Sequence, residues 1–142
     1  VDSGPSGGEG LMRTVTGTDP AAGAEITQEV VPTNAYWKVH SVFLEMVQGA
    51  TQTPTPILVF GDGTTTFARS PASEATTASS TFRYHFMRNF GSSGIRTGSE
   101  RAEPLGEIEL PGAGTIDTLT SGIGANSNYS APVFRVEEWL MA

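Results

Sequence analysis

An all-β fold, a β-sandwich of jelly-roll-like character behind an extended N-terminal arm, is what this sequence predicts, and three observations predict it. Gly, Pro, Thr and Ser make up about 40% of the 142 residues, a mixture that disfavours long helices and suits strands joined by tight turns. Roughly seven or eight short apolar or alternating segments are spaced by turn signals, with no long helical pattern between them. No repeat with a period of about 20 to 50 residues is visible, which removes solenoids and propellers. Leu, Ile, Val and Phe come to only about 21% of the chain, so one thin core must be used efficiently.

The first ten residues hold almost nothing that could enter a core, and Thr16-Gly17-Thr18-Asp19-Pro20 is turn-rich. Only Leu11-Met12-Arg13-Thr14-Val15 lies between them, too little to offset the entropy of ordering unless it docks on something else. Residues 1–23 therefore read as a flexible arm and 24–142 as the sandwich domain. Ala24, Ile26 and Val30 alternate as in a first strand, although Ile26 and Val30 also have helical spacing.

Tyr36 to Val47 is the clearest strand, with Trp37, Val39, Phe43 and Val47 on one face and Lys38 and His40 on the other. A hairpin follows: Thr55 to Phe60, the turn Gly61-Asp62-Gly63, then Thr64 to Ala68. Phe82, Tyr84 and Phe86 alternate with polar residues between Thr76 and Met87, and residues 91–103 read as a surface loop. Glu107 to Leu110 and Thr115 to Thr120 are short strands, 122–130 is a second polar loop, and Ala131 to Leu140 is the last strand. The expected core is Trp37, Val39, Phe43, Phe82, Tyr84, Phe86, Phe134, Val136, Trp139 and Leu140.

Fifteen acidic against eight basic residues give a net charge of −7, which argues against nucleic acid or anionic lipid as a partner. The absence of cysteine removes disulfides, thiolate zinc sites, iron–sulfur clusters and cysteine nucleophiles. No apolar stretch approaches the roughly 18 residues of a membrane span, and the first residues show neither a basic nor an apolar signal region, so the chain reads as soluble.

No catalytic, cofactor-binding or metal residue is expected. His40 and His85 lie on the polar faces of different strands without a second ligand at usable spacing, as surface or interface histidines do. Glu137 and Glu138 are neighbours in a strand and point to opposite faces, so they form no carboxylate pair. Glu138 shares a face with Phe134 and Val136 and needs a partner such as an arginine. Asp62 lacks the acidic loop of a calcium site and reads as a turn residue, and Gly91-Ser92-Ser93-Gly94 lacks the strand–turn–helix setting of a nucleophilic serine. Trp37, Trp139, Tyr36 and Tyr129 could make an aromatic platform for a sugar, but both tryptophans sit in alternating strands, which favours packing.

Four segments occur in order: Val31-Pro32-Thr33-Asn34-Ala35-Tyr36-Trp37-Lys38-Val39-His40-Ser41-Val42, Ile57 to Gly63, Ser79 to Tyr84, and the terminal Phe134-Arg135-Val136-Glu137-Glu138-Trp139-Leu140. Together they make residues 31–142 resemble a family of small virion structural proteins of tailed bacteriophages, with the terminal V-E-E-W-L the most specific element. The resemblance implies a non-enzymatic, many-copy component of the phage particle, in first place a capsid decoration or cement protein, and the negative charge suits a place on the outer surface of the mature head. It further implies a jelly-roll-like sandwich, often a homotrimer, with the major capsid protein and its own copies as partners. In that setting Leu11, Met12, Arg13 and Val15 are the expected arm contacts to neighbouring subunits, Arg13 as a charged clamp. The alternatives are a tail-associated receptor- or carbohydrate-binding module and a head–tail or tail component.

Overall fold

β-Branched and aromatic residues in alternation, punctuated by Gly and Pro, leave this chain no way to bury its apolar side chains except in paired strands. The computed structural model describes residues 10–27, 29–89 and 95–141. Within them the strands are β1 (Leu11–Thr16), β2 (Glu29–Val30), β3 (Ala35–Gln48), β4 (Ile57–Gly61), β5 (Thr66–Pro71) and β6 (Thr81–Arg88). They continue as β7 (Ile95–Thr97), β8 (Glu100–Leu105), β9 (Ile108–Leu110), β10 (Thr115–Thr118), β11 (Ser127–Tyr129) and β12 (Val133–Leu140).

Two sheets pack face to face as a sandwich. The larger has eight strands in the order β1-β12-β3-β6-β8-β7, with β9 and β11 also pairing β3; the smaller runs β2-β10-β4-β5. At 14 residues β3 is long enough to take β12 and β11 along one edge and β6 and β9 along the other. All pairings in the larger sheet are antiparallel except β6 with β8.

The core lies between the sheets. Trp37, Val39, Val42, Leu44 and Met46 of β3, Phe82, Tyr84 and Phe86 of β6, and Phe134 and Val136 of β12 face Leu58 and Phe60 of β4 and Ile116 of β10. Strict alternation along β3 would have put Phe43 and Val47 beside Trp37 and Val39. Instead, Val136 pairs Val39 while its neighbour Arg135 pairs Ser41, so His40 is one extra residue. That bulge reverses the facing of everything after it. Phe43 is thereby corrected from core to the outer face, where it is half-buried, and Val42, Leu44 and Met46 take the inward positions.

Other expectations change too. Leu140, expected in the core, is 73% exposed at the last position of β12, and Trp139, also expected in the core, alternates with inward-facing Glu138 to the outer face, where it is half-buried opposite Tyr36. The flexible arm expected over 1–23 is, from Leu11 to Thr16, an edge strand paired along its whole length with β12. Residues 1–9 of that arm lie outside the described residues. The strand expected over 24–31 shrinks to Glu29–Val30. The loop expected over 91–103 contains β7 and most of β8, while Gly91-Ser92-Ser93-Gly94 falls outside the described residues. Short β11 interrupts the loop expected over 122–130.

Candidate functional site

The terminal strand and the N-terminal strand meet in a seam at one edge of the larger sheet. Residues of β12 alternate, so Glu138 falls on the same side as Phe134 and Val136 and directly opposite Trp37. A carboxylate there, with its side chain only 9% exposed, requires donors. Arg13 supplies a charged one: its Nη1 donates to Oε1 and Oε2 of Glu138 at 2.9 and 2.8 Å. The Trp37 indole Nε1 donates to Oε2 at 2.7 Å. Arg13 is thus the arginine that Glu138 needs, and it clamps its own terminal strand.

Next to this clamp, the Gly10 amide donates to Glu137 Oε2 at 3.1 Å. A Cβ at residue 10 would come within 2.5 Å of Glu137 and 2.9 Å of the Trp139 ring, so the close approach requires glycine. Val15 is half-buried against the core, whereas Leu11 and Met12 are 68% and 41% exposed. Of the four expected arm contacts, then, Arg13 and Val15 are engaged within the chain and Leu11 and Met12 remain presented outward.

The second constellation covers the outer face of the larger sheet. Glu45, Arg83, Glu100 and His85 form a chain: Arg83 donates to Glu45 at 3.1 Å and to Glu100 at 2.8 Å, and His85 Nε2 lies 2.7 Å from Glu100. The hydrogen bonds from His85 and then Arg83 hold the Glu100 carboxyl below its usual range. The same partnership with Glu100 raises the Arg83 guanidinium. The His85 ring tilts against Phe43 with centroids 5.0 Å apart. His40, in the bulge, lies 3.4 Å from Glu137 and 3.5 Å from Arg88. Each histidine is therefore held by a carboxylate, and the two sit in separate clusters. Among the described residues no group of three or more metal-ligating side chains converges.

Aromatic and turn residues fill out this picture. Trp37 is buried, while Trp139 and Tyr36 make an edge-on pair on the outer face with centroids 6.0 Å apart. Burial and a hydrogen bond to Glu109 push the Tyr36 hydroxyl up to about 12. Asp62 accepts from the amides of Thr64 and Thr65 at 2.9 and 2.8 Å, which holds its carboxyl low and closes the β4–β5 turn. A polar cleft of about 160 Å³ beside that turn is lined by Gly61, Thr65, Thr115 and Asp117.

One buried cluster escaped the sequence reading. Arg101 and Glu103 of β8 point inward, Arg101 over the Phe82 ring at 3.9 Å and 3.5 Å from Glu74. Glu103 accepts from the Ser73 amide and hydroxyl at 2.9 and 3.0 Å. The alternation Arg101, Glu103, Leu105 is a strand signal, but charged residues at its inward positions disguise it as a polar loop.

No family model matches the chain, and neither a curated protein nor a solved structure matches it.

Proposed function

We propose that this chain is a non-enzymatic structural protein of a tailed-phage virion, a capsid decoration protein that binds the outside of the mature head and stabilises it by added contact area. The observation that carries the reading is the seam: an edge strand, Leu11–Thr16, fixed by the Arg13–Glu138 clamp, which presents Leu11, Met12 and Leu140 to the outside. Edge strands with exposed apolar side chains are surfaces that other chains add to. The net charge of −7 suits a shell exterior and opposes contact with packaged DNA. The resemblance of residues 31–142 supplies the phage setting, with the major capsid protein as partner, and the sandwich is then of the jelly-roll-like kind.

A second reading, a receptor- or carbohydrate-binding module on the tail, draws on the half-buried Tyr36–Trp139 pair of the outer face. One experiment separates the two. Purified protein is mixed with expanded heads lacking it, and bound copies per shell are counted by mass or particle imaging. Saturation at a multiple of the capsid lattice is expected. No binding to heads, together with tryptophan emission that changes on adding glycans, would overturn decoration in favour of the second reading.

A further inference from the structure

The outer face of the larger sheet is organised in rows that cross the strands. Pairing register places Val133, Phe43, His85 and Ala102 in one row and Arg135, Ser41, Met87 and Pro104 in the next. Phe43, Met87 and Val133 are partly exposed there, and a shallow hollow of about 90 Å³ opens between Ser41, Phe43, His85 and Met87. Two charged rows flank this middle, in which Val133, Phe43, Ala102, Met87 and Pro104 are apolar and His85, Ser41 and Arg135 are polar. One is Glu45–Arg83–Glu100 and the other Glu137–Lys38–Glu109, each reading negative, positive, negative. Lys38 makes no ion pair among the described residues, although Glu137 and Glu109 stand on either side of it.

We propose that a second copy of this chain docks on this face, sheet on sheet, about a two-fold axis that runs between the two middle rows. The argument is charge complementarity. Lys38, Arg83 and Arg135 stand against Glu45, Glu100, Glu109 and Glu137, so the face is close to neutral while most of the net charge of −7 lies elsewhere on the molecule. Another copy meets like-charge repulsion at the acidic remainder and little of it here.

The order of the rows selects the symmetry. A rotation about an axis across the strands lays β3 antiparallel on β3 of the second copy and each charged row on the opposite one. Lys38 then meets Glu45 of the second copy, and Arg83 meets Glu109 of the second copy, while Phe43 and Met87 close around the axis. Such an interface is isologous, the arrangement of a closed dimer. Stacked sheets about 10 Å apart and nearly aligned are an ordinary packing mode. The 14 residues of β3 span about 46 Å and five neighbouring strands roughly 24 Å, room for the about 800 Å² per partner that a stable interface needs. This inference stands independently of the virion reading.

Sedimentation of the full chain from micromolar to about millimolar concentration tests it. A reversible dimer is expected. Lys38→Glu and Glu45→Lys each place two like-charge contacts in that dimer and should weaken it roughly tenfold or more, and the double variant K38E/E45K should restore it. Unfolding temperature checks that each variant is folded. As a readout that disturbs no charge, Ser41→Cys, beside the axis, should be joined between copies by a short bis-maleimide, and Thr66→Cys on β5 should not. A monomer across the range, a trimer, a double variant that stays weakened, or equal cross-linking at both cysteines would overturn the proposal.

Discussion

Two carboxylates face inward from opposite sides of the larger sheet, and they are held very differently. Glu138, beside the N-terminal strand, takes both Nη1 contacts of Arg13 and the Trp37 indole, so both oxygens are satisfied. Glu103, on β8 beyond β6, is fully buried; one oxygen takes two bonds from Ser73, and the other, Oε1, has no partner among the described residues. A charge at a margin, paired with an arginine, can hold two distant chain segments in register. A carboxyl deeper in, with one oxygen held by an amide and a hydroxyl and the other unpartnered, fastens a loop at a standing cost in desolvation. The first edge therefore depends on a cation 125 residues away in sequence, and the second on the loop between β5 and β6.

The largest effect should come from removing residues 1–16. The deletion strips β12 of its edge partner and Glu138 of its cation, and a loss of about 3 kcal/mol in unfolding free energy is expected by urea titration. An unchanged midpoint would mean that the seam adds nothing to the fold.

Alkaline pH should act on the buried Tyr84 hydroxyl of β6, next to the strand that carries Glu103. Tyr84 donates to the Glu74 carbonyl at 3.0 Å and shares a bond with Thr76 at 2.8 Å, which ties down the loop that carries Ser73. Burial pushes its hydroxyl up to about 12, so the folded state keeps a proton that the unfolded chain gives up near pH 10. That contribution is complete below pH 10 and lost as pH rises through about 12, a decline on the order of 2 kcal/mol that Tyr84→Phe should remove. Tyr36, raised by burial and Glu109, acts in the same direction.

The smallest and sharpest comparison is a pair of isosteric changes. Glu138→Gln should cost about 1–2 kcal/mol, discounted because Arg13 is partly exposed to solvent. Glu103→Gln should change stability by less than about 1 kcal/mol, since an amide oxygen can still accept from Ser73 and relief from burying a carboxylate offsets the unpaired amide N–H that replaces Oε1. Equal losses at the two sites, measured by thermal unfolding, would erase the distinction between the edges.

Much of this architecture is legible in the residues. Thr81–Arg88 and Val133–Glu138 show the alternation that their burial follows, and Gly61-Asp62-Gly63 signals the turn it makes. The need of Glu138 for an arginine can also be read, because a carboxylate in an apolar row is unfavourable alone. Less legible is the β8 edge, where Arg101 and Glu103 occupy inward positions that apolar residues normally mark. The rows of the outer face are hidden for another reason: their members come from β3, β6, β8, β9 and β12, and no single strand shows the pattern.

Composition and period-two alternation alone determined that this chain is all-β and sandwich-like, because turn-rich, helix-poor segments with one apolar face can be buried only by stacking sheets. Tertiary structure decided what local pattern does not encode. The His40 bulge, which turned Phe43 outward, is a register shift in the pairing of β3 with β12 and leaves no mark on the period-two pattern of β3 itself. The docking of Leu11–Thr16 on β12 rests on a ladder of six paired positions and on the Arg13–Glu138 pair, contacts between segments more than a hundred residues apart that no local pattern encodes.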